Sequence, residues 1–397
     1  MSESAAKPVF AAAVSERADI FDAVEQVAQA LLRDLDGRPD LLIAFATADH
    51  RGTFDALQER LGRALRPRIG VGMTAEGVIG TGVEVERRPG LSVLAARLPG
   101  VSIEPFTYEQ IDWQAVVHEP AALRGMIGDG REPKLIILLA DPFSVPVMKM
   151  LPLFNRAFAG VPIVGGMASA GYRPGENRLL CNGRVMDQGA VGLVLTGPID
   201  VRCIVSQGCR PIGRPMVITA AQRHLVRQLG GRNALEVAQE VVRGLDVHER
   251  KQVQSHGLYV GRVLNEYKPH FGRGDFLIRS ISGIEEASGS IGIADTGVRV
   301  GQTIQFHLRD QHTAREDLAL LLEGEKLHGP ADGALLFSCN GRGTRLFDQP
   351  DVEAKLVQDL LGPVPLAGCF AAGEIGPIGE ESFLHGHTAS LVVFRGG

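Results

Sequence analysis

The chain has 397 residues, a formal net charge of −5 with His neutral and the apolar content of an ordinary globular protein, so two domains with real cores are the natural expectation. No long basic block is present, which removes the electrostatic case for nucleic acid or an anionic membrane surface. No apolar run approaches the roughly 20 residues of a membrane helix, and residues 1–7 lack the apolar core of a signal peptide; a soluble, cytoplasmic protein is expected.

Residues 19–36 carry apolar positions at Ile20, Phe21, Val24, Val27, Ala28, Leu31 and Leu32, a helical spacing stopped at Gly37 and Pro39. Residues 41–46 are a continuous apolar run of strand length, expected to be buried on both faces. Residues 54–65 read as an amphipathic helix ended by Pro67, and residues 69–77 as a short strand entering a Gly-rich loop. Residues 83–85 and 91–96 read as a hairpin turning at Pro89-Gly90.

The same order recurs. Residues 134–140 form a strand, 148–158 a helix despite Pro152, 162–171 a strand with a small-residue loop, and 177–181 with 189–195 a hairpin turning at Asn182-Gly183. It recurs again with strand 333–338, helix 351–361, strand and loop 365–379, and hairpin 383–394. About 30 residues separate first strand and loop in each case, the scale of a structural repeat. Each strand–helix–strand unit implies a parallel crossover, with the hairpin extending the sheet. Between the second and third repeats, residues 199–206, 216–220, 257–263, 276–281, 290–293 and 303–308 read as strands and 234–244 as a helix capped by Asn233. Residues 246–254 are polar and expected at the surface, and residues 315–322 begin another helix.

The expected fold class is α+β: two halves built from repeated β-α-β-hairpin units, their mixed sheets packed together and flanked by helices. An N-terminal segment and helix (1–36) precede halves at 37–230 and 231–397, with a soft border near 215–235.

The three loops offer backbone donors, the hydroxyls of Thr74 and Ser169, and a carboxylate in two copies, Glu76 and Glu374. Backbone donors in such turns bind anions and carboxylates suit an ammonium, so the set fits a small zwitterion such as an amino acid. Five cysteines, Cys181, Cys203, Cys209, Cys339 and Cys369, are widely spread with no C-x-x-C pair, which speaks against a disulfide framework and a structural zinc site. His385 and His387 share one strand face, but their nearest acids lie in a solvated turn; no metal and no cofactor is expected. The glycines match neither a dinucleotide fingerprint nor a phosphate loop.

The run GGMASAGYRPGENRLLCNGRVMDQGAVGLVLTG, then VSQGCRPIGRPMVIT, SCNGRGTRLF and PLAGCFAAGEIGPIGEESFLHGHTASLVVF resemble the FIST sensory family, its N-terminal half over residues 37–230 and its C-terminal half over 231–385. The resemblance implies a signal-transduction input module that binds a small ligand, with amino acids proposed and with a signalling protein partner. The chain reads as a free-standing version, since only Arg395-Gly396-Gly397 follow Phe394. Carried onto this sequence, the resemblance points to Gly72, Thr74, Glu76, Gly166, Ser169, Gln207, Arg210, Ser338, Asn340, Arg342, Gly373, Glu374 and His385, with Cys369 as a further lining residue. Met73 and Met167 stand where Cys is common in the family. Two other readings stay open. One is a Cys-dependent hydrolase or transferase using Cys369 or Cys339, the Cys–His logic of acyl transfer. The other is a protein-interaction adaptor. Binding rather than catalysis is the leading expectation.

Overall fold

The computed structural model describes residues 7–272 and 274–396. They form two compact units: the described residues up to Ser206 together with those from Leu318, and Gln207–Asp317. The border between residues 230 and 231 read from the motifs falls inside the second unit. No helix among the described residues is long and apolar enough to cross a membrane.

Local chemistry sets the elements. In helix Ile20–Asp34 the Asp19 carboxylate accepts the first free N–H groups, from Phe21 and Asp22, and the apolar stripe Ile20, Val24, Val27, Leu31 is buried. Helix Phe54–Leu65 ends where Arg66 turns left-handed, one residue before Pro67.

The expected strands, helices and parallel crossovers are present, but the hairpins are placed differently. Leu41–Thr47 pairs parallel with Ile69–Ala75, Leu135–Ala140 with Ile163–Met167, and Gly333–Cys339 with Leu366–Ala371. Each pair is joined on one side by its own closing strand, Leu91–Arg97, Ala190–Thr196 or Ala389–Gly396. On the other side sits a hairpin from a different repeat. Hairpin Gly77–Gly80/Val83–Glu86 joins the third sheet, Leu179–Cys181/Arg184–Met186 the first, and Glu374–Ile378/Glu381–His385 the second. The exchange is cyclic, so none of the three repeats can complete its sheet alone. Residues 83–85 and 91–96, read as one hairpin, therefore lie in different sheets; so do 177–181 and 189–195, although Asn182-Gly183 does make a turn.

Polar staples hold the exchanged hairpins. Asp351 accepts the backbone N–H of Glu84, while Glu84 accepts those of Glu353 and Ala354 at the start of helix Val352–Leu361. Asn155 and Ser382 bond reciprocally through side chain and backbone. Asn182 caps the N–H of Gly70.

Period-two alternation explains the apolar runs. Leu41, Ile43 and Phe45, with Leu135, Ile137 and Leu139, and Leu335 and Phe337, form one core shared by the three sheets. The intervening Leu42 and Ala44, Ile136 and Leu138, and Ala334 and Leu336 pack under separate helix layers. Phe45 and Phe337 meet edge-on at 5.7 Å across that shared core.

Gln207–Asp317 interrupts the third repeat. It follows the leading strand Ile199–Ser206 and ends inside helix Gln311–Glu325, where the first repeat passes directly from Ser15 to Ile20. It holds a seven-stranded antiparallel sheet with strands Cys209–Gln222, Thr303–Arg309, Tyr259–Val263, Phe276–Glu285 and Ser290–Ile293. Helix Ala234–Arg243 packs on it, capped by Asn233 as expected.

Candidate functional site

The three small-residue loops meet at one junction. Ser169 joins all three repeats: its backbone N–H donates to Thr74 O, its Oγ accepts from Glu76 N at 2.8 Å and donates to Phe370 O. Met167 N donates to Gly373 O and Ala372 N to Met167 O. Thr74 Oγ1 accepts from Arg178 N and so fixes the exchanged second hairpin. Gly166 leaves room that a Cβ would lose, since it would lie 2.9 Å from Cβ of Ala371. Ser169, Thr74, Met167, Phe370 and Gly373 are buried, whereas Glu76 and Arg178 are half-buried and Ala372 is exposed; the hydrogen bonds named here run among the loops and to the exchanged hairpin.

The strand register corrects two equivalences. Gly72, Gly165 and Gly368 occupy one position, each opposite its partner strand and an exchanged hairpin residue. A Cβ there would lie 2.3, 1.9 and 2.0 Å from the carbonyl oxygens of Ala44, Leu138 and Leu336, so close strand approach explains Gly72. One residue later come Met73, Gly166 and Cys369; Met167 is thus not the counterpart of Cys369. Val78, Leu179 and Glu374 also share a position, so Glu76 and Glu374 are not two copies of one carboxylate.

Above the junction a polar chain runs to the surface. Glu374 is fully buried; its Oε2 accepts from Thr388 N at 3.0 Å and Oγ1 at 2.8 Å. Burial pushes its carboxyl up to about 8, against the lowering effects of Thr388, Arg342 and the adjacent Cys339 thiol. Among the described residues Oε1 takes no hydrogen bond of ordinary geometry, and the Cys339 thiol, a weak donor, contributes to the lowering. Cys339 is followed by Asn340, whose Nδ2 donates to Glu76 Oε2 at 3.0 Å. Arg345 pairs with Glu76 Oε1 and donates to Asn340 O at 2.6 Å. The side chains of Arg345 and Glu76 are 42% and 21% exposed, so this end is open to solutes.

Arg342 is different. It is fully buried and pairs with the equally buried Glu353 at 2.8 Å, donating also to His387 O at 3.1 Å. Ser338 donates to the other Glu353 oxygen. Glu84 lies alongside, its carboxyl raised to about 8 by burial and by the charge of Glu353. The Arg342 fork thus holds a protein carboxylate. His385, paired in register with Glu374, contacts Gly376 O through Nε2 at 2.9 Å. Cys369 is fully buried in its strand, and burial together with the Glu374 charge pushes its thiol well above the usual range, the reverse of what a nucleophilic thiolate needs.

Gln207 and Arg210 belong to the other compact unit. The Gln207 amide donates to Phe276 O at 2.7 Å and accepts from Ile278 N at 3.1 Å, imitating a strand partner. Arg210 bridges Glu249 and Asp310 at 2.7 and 3.2 Å. Arg345, Thr388, Glu84 and Glu353 escaped the sequence reading. For Arg345 a signal existed, its place three residues after Arg342 in the same Gly-rich turn; Glu84 and Glu353 look like surface acids until the hairpin exchange brings them together.

Comparison with known proteins finds the FIST N domain over residues 40–232 and the FIST C domain over residues 234–377. Both borders fall within the compact unit Gln207–Asp317. The uncharacterized protein MT0656 of Mycobacterium tuberculosis (strain CDC 1551 / Oshkosh) is 44% identical over 276 residues, 69% of this chain and 71% of its own. The uncharacterized protein Mb0898c of Mycobacterium bovis (strain ATCC BAA-935 / AF2122/97) is 45% identical over the same shares.

Proposed function

Because the chain belongs to the FIST family and carries both its N and C domains, we propose that it is a sensor whose ligand, an amino acid or similar small polar metabolite, binds at the junction of the three loops. FIST domains are associated with sensory signal transduction and small-ligand binding. The observation that carries the choice of site is the polar chain from buried Glu374 through Cys339 and Asn340 to the half-exposed Glu76–Arg345 pair. In the free protein Glu76 and Arg345 neutralise each other. A zwitterion replaces that pair, its ammonium on Glu76 and its carboxylate on the Arg345 fork. Asn340 orients Glu76 for this, and Glu374 lies beneath as an uncharged acid able to donate a hydrogen bond. Ser169 connects the site to all three repeats, so occupancy there reaches every sheet of the unit. The sensor works in the cytoplasm and passes its state to a signalling protein partner.

The test is a thermal-shift screen against amino acids, small amines, carboxylates and nucleotides, on wild type, Glu76→Gln and Arg345→Ala. A ligand at one hundred times its Kd adds about 2.7 kcal/mol of stability. The half-exposed ion pair itself is worth about 0–1 kcal/mol, so both variants stay folded. The expected result is an amino-acid shift lost in both variants. Silence across the panel, or a shift retained in both, overturns the reading.

A further inference from the structure

The unit Gln207–Asp317 holds a groove of about 740 Å³, inside the range of small-molecule sites. Its walls are Leu235, Ala238 and Val242 from helix Ala234–Arg243, Val253 from helix Val247–His256, and Ile281 and Ile291 from the sheet. Leu235, Ala238 and Val242 follow one another at helical spacing, one apolar face pointing into the groove. The face stays open for a reason visible in sequence. The neighbouring helix Val247–His256 (VHERKQVQSH) is polar almost throughout and buries none of its residues, so it cannot close over an apolar neighbour. At the rim Ile284 is 59% exposed.

The polar side chains on the groove are Gln239 and Arg243. Arg243 donates from Nε to Gln239 O at 3.3 Å, and no carboxylate among the described residues lies within ion-pairing distance of it. The two acids nearest in sequence are engaged elsewhere, Glu240 with Arg232 at 2.7 Å and Asp246 with the backbone N–H of Glu249 at 2.8 Å. Arg250 brings a second cation near Arg243, donating to Arg243 O at 3.2 Å. An apolar trough lined by a guanidinium that pairs with no carboxylate among the described residues has the polarity of an amphiphile with an anionic head.

We propose that this groove is a second binding site, for a small amphiphile with an apolar body and a carboxylate or phosphate head, the body lying along Leu235, Ala238, Val242 and Ile281 and the head on Arg243. The site is independent of the loop junction: each stands if the other fails.

The probes are decanoate and decanol, both below their aggregation concentrations, displacing anilinonaphthalene sulfonate from the full-length protein. The expected result is saturable displacement by decanoate at one site per chain. Arg243→Gln raises the Kd for decanoate about fivefold, as for a partly exposed charge pair, and leaves decanol unchanged. Ala238→Trp fills the groove and abolishes both, with the melting curve showing that the fold is intact; Val242→Trp serves if that variant does not fold. No saturable binding to wild type, or binding unchanged in the Trp variants, overturns the proposal. Equal loss of decanoate and decanol in Arg243→Gln overturns the assignment of the head group. A dimer in light scattering that dissociates on Ala238→Trp gives the groove to a second copy. Cosedimentation with phosphatidylglycerol vesicles that decanoate does not compete gives it to a membrane. Either outcome also overturns the proposal.

Discussion

Glu374 illustrates how burial changes the meaning of a residue. On the sequence it is a carboxylate for an ammonium; in the fold its carboxyl is raised to about 8, so it is largely uncharged at neutral pH. The sign of the stability effect follows. Between about pH 5 and pH 8 the folded chain retains a proton that the unfolded chain has released, so stability falls as pH rises through that window. Glu374→Gln preserves an acceptor for Thr388 and removes the titration. Its Tm is expected to decline less steeply than wild type over this range and to exceed it near about pH 8.5; parallel Tm–pH curves would refute the assignment. Glu84, also raised to about 8, contributes a remaining slope in both proteins. Arg342 makes the same point with opposite charge. Read as a fork for a ligand, it is instead committed to Glu353 in a fully buried pair, whose disruption by loss of one partner costs about 3–5 kcal/mol. That is why Arg345, half exposed, is the informative position for ligand experiments.

At the scale of elements, the crossovers were legible because apolar runs and helical spacing are local properties. Strand Leu41–Thr47 and helix Phe54–Leu65 form where the pattern places them. The partner of each hairpin was not legible, since a strand's pattern shows which face is buried and not which edge it joins. The junction depends on Gly72, Gly165 and Gly368, whose equivalence appears only in the register. Replacing any one of them by Ala drives a Cβ to about 2 Å from a strand carbonyl and is expected to destabilise by at least about 1–3 kcal/mol. Gly62→Ala, in helix Phe54–Leu65 with its nearest neighbour at 3.8 Å, should stabilise by about 0.5–1 kcal/mol. Urea unfolding separates these outcomes; three junction variants as stable as wild type would remove the close-approach argument.

For the whole molecule, the cyclic exchange and the interrupted third repeat have a thermodynamic consequence. The three repeats share one core and each supplies a hairpin to another's sheet, so they unfold together. Gln207–Asp317 has its own core, centred on Phe306, Ile304 and Val260. Calorimetry is expected to resolve two transitions. Phe337→Ala, at about 3–5 kcal/mol for a buried aromatic, should lower one of them, and Phe306→Ala the other. A single transition displaced equally by both variants would show that the units do not unfold separately.

The sequence by itself determined the α+β class, the threefold recurrence of strand, helix, strand and loop, the family resemblance, and the small residues at which the loops turn. These rest on periodicity, turn chemistry and motif identity, which are local. Tertiary structure alone decided that the hairpins are exchanged, that Glu76 and Glu374 occupy unlike positions, that Arg342 faces Glu353, and that a polar helix leaves an apolar groove open. Each of these depends on which distant residues become neighbours, and on what burial then does to a charge or leaves uncovered. Residues 83–86 show the difference most plainly: their alternation marks a strand, and only the fold sets that strand against helix Val352–Leu361 of another repeat.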